Sequence, residues 1–140
     1  MKSILVPVDG SESSLRAVRY IIGACGDGQR PKIHVVNVQP GITGDVRQFV
    51  SRSDIKDYRR EQSEAAMRPA LAMLDQAGIP YDAHEEVGHA ADCITRLAEQ
   101  LQCDHIVMGM QGRSALADLL AASTPLKVLH QTRLPVVLVK

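Results

Sequence analysis

Ile4-Leu5-Val6-Pro7-Val8-Asp9-Gly10-Ser11 opens the chain with a continuous apolar run and ends it on an acidic residue, a glycine and a hydroxyl. A short apolar run without polar alternation suits a strand buried on both faces, as in parallel sheets. Asp9-Gly10-Ser11 supplies turn and capping residues, after which Leu15, Val18, Ile22 and Cys25 recur at helical spacing. The pattern is strand, tight turn, then a helix over about 11–25 that Gly26-Asp27-Gly28 stops.

The alternation continues outward from there. Ile33-His34-Val35-Val36-Asn37-Val38 reads as a second strand, and Pro40 to about Asp57 as a long irregular connection. A helical pattern over about 58–77 puts Met67, Ala70, Leu71 and Leu74 on one face. Pro69 lies inside it and predicts a kink or a late helix start. Tyr81-Asp82-Ala83-His84-Glu85-Glu86-Val87 is a third strand, polar enough for a sheet edge. Ile94, Leu97, Ala98 and Leu101 mark a third helix, and His105-Ile106-Val107-Met108 a fourth strand ending at Gly109. After a loop come a short helix from about Pro125 to His130 and a last strand, Pro135-Val136-Val137-Leu138-Val139. Five strands alternating with helices predict an α/β fold. With right-handed crossovers it becomes an open, doubly wound parallel sheet in three α/β/α layers. The whole of 1–140 reads as one domain, without repeat or linker.

Composition narrows the function classes. Sixteen basic residues balance sixteen acidic ones, and only four aromatics occur, so no nucleic-acid partner is expected. No apolar run approaches the roughly 20 residues of a membrane span, and the start reaches Asp9 too soon for a secretory signal. A cytoplasmic protein with no membrane partner is expected. Cys25, Cys93 and Cys103 lack Cys-x-x-Cys spacing and read as reduced structural thiols. The five histidines are scattered, so no protein-built metal site is expected.

In open parallel sheets ligands bind beyond the carboxyl ends of the strands. Asp9 falls there, and so does the segment Gly109-Met110-Gln111-Gly112-Arg113-Ser114, continuing to Ala122-Ser123-Thr124-Pro125. Gly109 and Gly112 let backbone approach a ligand without an intervening Cβ. Arg113 offers a fork suited to phosphate, and Ser123 and Thr124 offer hydroxyls and free amides at a helix start. Spacing alone leaves a second reading open, in which the glycines only shape a turn and Ser123 or Thr124 only caps a helix. Asp9 could likewise serve only the turn, and Arg113 could be a solvated loop residue.

Val6-Pro7-Val8-Asp9-Gly10-Ser11 together with Met108-Gly109-Met110-Gln111-Gly112-Arg113-Ser114 resembles the universal stress protein family, over essentially the whole chain. Nucleotide-binding members carry Gly, two residues, Gly, nine residues, then Gly followed by Ser or Thr. Gly109, Gly112 and Ser123 match; the third glycine is replaced by Ala122. The resemblance implies strand order 3-2-1-4-5 and an ATP, ADP or AMP ligand with Mg²⁺ carried on its phosphates. It implies that Asp9, beside the backbone of Pro7 and Val8, meets the ribose, and that Val38 meets adenine through its main chain. Met108 and Gly109 would flank the sugar and first phosphates. Gln111, Gly112, Ser123 and Thr124 would line the phosphate path. It also implies a homodimer paired through the apolar last strand, Pro135–Val139.

The expected function is that of a non-enzymatic, nucleotide-responsive stress protein with no catalytic residues. Two alternatives stand beside it: a dimeric scaffold that no longer binds ATP because of Ala122, and a slow ATP-hydrolysing relative. No Gly-x-x-x-x-Gly-Lys-Ser/Thr supports the last of these. A phospho-acceptor receiver would need an acidic residue ending strand three, where Val87-Gly88-His89 stands.

Overall fold

The computed structural model describes residues 1–26, 28, 30–41, 51–110 and 123–140. Its first strand, β1 (Ser3–Pro7), carries the apolar run, with Leu5 and Val6 wholly buried. Gly10 adopts φ +85°, which makes the turn easy for a residue without Cβ. Ser11 then caps α1 (Glu12–Ala24) by accepting from the Ser14 amide. The remaining order is β2 (Lys32–Gln39), α2 (Arg52–Gln76), β3 (Tyr81–Val87), α3 (Ala90–Gln100), β4 (His105–Gly109), α4 (Thr124–Gln131) and β5 (Val136–Val139).

All strand pairs are parallel, in the order β3-β2-β1-β4-β5. Ile4, Val6, Ile33, Val35 and Val107 face α1 and α2, where Val18, Met67 and Leu74 meet them. Leu5, Val36, Ile106 and Met108 face the other layer, against Ile94, Leu97 and Val128. The three central strands are therefore apolar on both sides because both sides are covered. Each fully buried Leu, Ile or Val contributes roughly 1.5–3 kcal/mol.

Two expectations need correction. The second helix begins at Arg52, not near residue 58, because the Ser51 hydroxyl accepts from the Asp54 amide and Ile55 is buried. Part of the irregular connection is thus helix; its residues 42–50 lie outside the described residues. Pro69 does not delay the helix, which runs through it. Pro69 and Ala65 are both exposed, so the carbonyl deprived of a donor lies on the water side.

The two edges differ as the sequence led us to expect. β3 is largely exposed and polar. β5 is apolar, and here the structure sharpens the reason. Val137 and Val139 pack against one core layer and Val136 and Leu138 against the other, all four half-buried. Its side chains are apolar because the same chain touches both faces; its outer backbone edge pairs with no strand among the described residues. No helix among the described residues is long and apolar enough to cross a membrane.

Candidate functional site

A crevice opens where the strand order reverses. β1 pairs with β2 along five residues but with β4 only at Ile4 opposite His105 and Leu5 opposite Ile106. Beyond Leu5 the two central strands part, leaving a cavity of about 130 Å³ at their carboxyl ends. Such a split is the usual ligand position in doubly wound sheets.

One wall is the end of β1 with the overhanging end of β2. The Val8 amide donates to the Val36 carbonyl at 2.8 Å, the last backbone-to-backbone tie between the two strands of this wall. Backbone groups of alternate residues point to the same strand edge, so those of Val38 point beyond β1 into the opening. The Gln39 carbonyl points the opposite way, accepting from Gly88 at 2.9 Å. Val38 thus presents an amide and a carbonyl side by side, as the edge of a heterocyclic base requires. Asp9 stands exposed at the rim, its Oδ1 accepting from the Ser11 amide at 2.9 Å. The turn-organising role of Asp9 is therefore present. A carboxylate has further acceptor positions, and exposure leaves them available.

The opposite wall is Met108 and Gly109 with the start of α4. A Cβ on Gly109 would collide with the Ser13 carbonyl of α1 and stand 2.8 Å from the Ser14 amide nitrogen. The need for glycine comes from helix packing behind the strand. Ser123 is buried, and its Oγ accepts from the Leu126 amide at 3.4 Å, which caps α4 and leaves the hydroxyl proton to donate. Ser123 does not line the cavity, whereas Thr124 and Pro125 do. Ser11, Ser13 and Ser14 bring the start of α1 to the same opening, so two helix N-termini meet there.

Of the sequence-based site residues, Pro7, Val8, Asp9, Val38, Met108, Gly109 and Thr124 converge on this one cavity. Gln111, Gly112, Arg113 and Ala122 lie outside the described residues.

Sequence reasoning missed Asn37. Its Nδ2 donates to the Val8 carbonyl at 2.8 Å and its Oδ1 accepts from Gln39 Nε2 at 2.7 Å. Both backbone groups of Val8 are thereby fixed, and Asp9 follows directly. A lone amide in an apolar strand was the available signal. Ala90 and Ile94 of α3, also missed, close the apolar floor.

Asp9 is the one ionisable residue among the described residues lining the cavity. The hydroxyls around it are engaged with one another and with backbone: Ser14 Oγ donates to the Ser11 carbonyl at 2.9 Å, and Ser11 Oγ lies 3.1 Å from Ser13 Oγ. Among the described residues no group of three or more His, Cys, Asp and Glu is placed to hold a metal ion. The arrangement suits binding a molecule with a flat polar edge, hydroxyls and an anionic end.

Comparison with known proteins follows the same line. A family model described as the universal stress protein family matches residues 1–140. The universal stress protein MJ0531 of Methanocaldococcus jannaschii is 29% identical, across 99% of this chain and 82% of its own length. The solved structure of MJ0577, from the same organism, superposes with TM-score 0.81 at 25% identity, covering 99% of this chain and 95% of that one. A universal stress protein crystallised in complex with cAMP superposes with TM-score 0.73 at 26% identity, covering 99% and 97%.

Proposed function

The chain belongs to the universal stress protein family, and on that premise we propose that it is a cytoplasmic, non-enzymatic regulatory protein that binds an adenine nucleotide and acts as a homodimer. The observation that carries the reading is the split between β1 and β4. It sets the backbone of Val38, which no strand pairs on that side among the described residues, and the carboxylate of Asp9 on one side and the start of α4 on the other. Adenine would take the Val38 amide and carbonyl, with Met108 and Ile94 against its faces. The ribose hydroxyls would donate to Asp9, and the phosphates would meet the amides and hydroxyls at Ser123 and Thr124, where the helix dipole favours anions. Magnesium would ride on the phosphates of ATP, since Mg²⁺ is commonly held by substrate phosphates and water. The relative that binds cAMP supports the adenine class.

A binding role rather than catalysis is supported by the engagement of the Ser11, Ser13 and Ser14 hydroxyls with one another and with the start of α1. A dimer through Pro135–Val139 is supported by an apolar strand whose outer backbone edge pairs with no strand among the described residues. Reduced, buried thiols at Cys25, Cys93 and Cys103 suit the cytoplasm.

Mass spectrometry of the purified protein, native against denatured, tests the ligand. A mass difference equal to an adenine nucleotide is expected. Calorimetry with ATP and Mg²⁺ then extends the test to Ala122→Gly, which restores the family's third glycine. A tightening of up to about tenfold is expected, the equivalent of 1.4 kcal/mol. No heat from either protein would end the reading.

A further inference from the structure

Asn37 is an amide on a face of β2 whose neighbouring residues, Ile33 and Val35, belong to the apolar core. It is only 2% exposed, and burying an amide is costly unless its groups are bonded. Its Nδ2 donates to the Val8 carbonyl at 2.8 Å, and its Oδ1 accepts from Gln39 Nε2 at 2.7 Å. A carbonyl only accepts, so the Val8 bond fixes which way the amide is turned.

The strand register identifies the bond that Asn37 displaces. β1 and β2 pair as far as Pro7 opposite Val36, which sets Val8 opposite Asn37. In a parallel ladder a residue bonds to the two neighbours of the residue opposite it. Val8 makes the first of these bonds, donating to the Val36 carbonyl. The second would run from the Val38 amide to the Val8 carbonyl, and among the described residues it is not made. Asn37 Nδ2 holds that carbonyl instead.

We infer that Asn37 is a positioning residue for base recognition: by taking the Val8 carbonyl it stops the ladder one bond early and keeps the Val38 amide for the ligand. This rests on the nucleotide-binding reading above. Satisfying the Val8 carbonyl does not by itself call for a buried side-chain amide. With an apolar residue at position 37, the Val38 N–H would satisfy it as the next rung of the ladder. The side-chain amide is required where the Val38 N–H has another use, and Val38 lines the crevice.

The test follows hydrogen exchange at the Val38 amide without ligand, and AMP binding by calorimetry, in the full-length protein and in Asn37→Leu and Gln39→Met. Asn37→Leu keeps the volume and branching of the side chain and removes the donor, so the Val8 carbonyl captures the Val38 amide. Exchange at Val38 is expected to slow about fivefold, and AMP affinity to fall about fivefold, as for one hydrogen bond gained and one lost. A merely structural amide predicts the opposite sign, because its loss loosens the strand ends and exchange at Val38 quickens. Gln39→Met removes the bond that holds the Asn37 oxygen, so smaller changes of the same sign are expected. Gln39 is half-buried, and this variant decides if Asn37→Leu does not fold. Exchange at Val38 that is unchanged or faster would overturn the inference. So would slowed exchange with undiminished AMP affinity, which would show that the ligand does not use this amide. If the unsubstituted protein bound no AMP, the nucleotide reading would fall and with it the ligand's part in the inference. Slowed exchange at Val38 in the variants would still show Asn37 stopping the ladder.

Discussion

At the amino ends of its strands the sheet is laced shut, whereas at the carboxyl ends it splits between β1 and β4. The closed end is held by backbone bonds that run past the strands: Lys32 to the Lys2 carbonyl at 2.8 Å and Asp104 to the Ser3 carbonyl at 2.9 Å. The Asp104 carboxylate adds the Lys2 amide at 2.8 Å and His105 Nδ1 at 2.7 Å. At the open end each central strand follows its outer neighbour. Val8, just after β1, bonds to Val36 of β2, and Met110, just after β4, bonds to Val139 of β5. Polar groups at the closed end are spent on the fold. At the open end the backbone of Val38 and the carboxylate of Asp9 are left over among the described residues. The crevice proposed as the binding site is the geometrical remainder of a sheet whose strand order reverses.

The largest effect that would break this contrast comes from Gly109→Ala. The new methyl meets the Ser13 backbone, which cannot move without shifting α1, so a loss of about 3 kcal/mol is expected, the upper part of the range for overpacking. Thermal denaturation should show a fall of roughly 10 °C for a chain of this size. Asp9→Ala acts on the open end alone. Calorimetry should show nucleotide affinity falling about tenfold or more, as for a hydrogen bond to a charged group, while stability changes by about 1 kcal/mol or less.

A buried histidine at the middle of the sheet, away from the crevice lining, predicts a pH effect instead. His34 is buried, with its Nδ1 3.0 Å from His84 Nε2 and 3.9 Å from Asp82 Oδ2. Burial pushes its pKa below the usual histidine value, and the neighbouring His84 and Lys32 push the same way against Asp82. The unfolded chain therefore binds the proton more readily, so this contribution is complete above about pH 6.5 and is lost as pH falls below it. Denaturation between pH 7 and 5.5 should show a decline of up to about 1.4 kcal/mol per pH unit. His34→Leu should flatten that decline. The smallest effect belongs to Asp104→Asn. The hydrogen bond from His105 holds the Asp104 carboxyl down at about 2, so its contribution is lost only as pH falls from about 4. Because the carboxylate is 40% exposed, no more than about 1 kcal/mol at neutral pH is expected, with nucleotide affinity unchanged.

Much of this contrast was legible in the sequence, for identifiable reasons. Strands covered on both faces must be continuously apolar, so Ile4–Val8 and Ile33–Val38 announced themselves, and β3 did so by its charges. The start of α2 was not legible. Its first turns are held by one Ser51 cap and one buried isoleucine, with Tyr58 exposed between polar neighbours. Asp9, Val38 and Gly109 were legible as candidates and line one cavity, but the physical demand on Gly109 comes from α1, which no spacing within the 109–124 segment reveals. Asn37 left a local trace, as the amide in an apolar run, but its partner Val8 is 29 residues away.

The most direct test is a titration of the amide-labelled protein with AMP, followed residue by residue by NMR. Shifts are expected at Val8, Asp9, Val38, Gly109 and Thr124, with Lys2, Lys32 and Asp104 unmoved. Shifts centred on the amino ends of the strands, or none at saturating nucleotide, would contradict the assignment of the open end as the binding site.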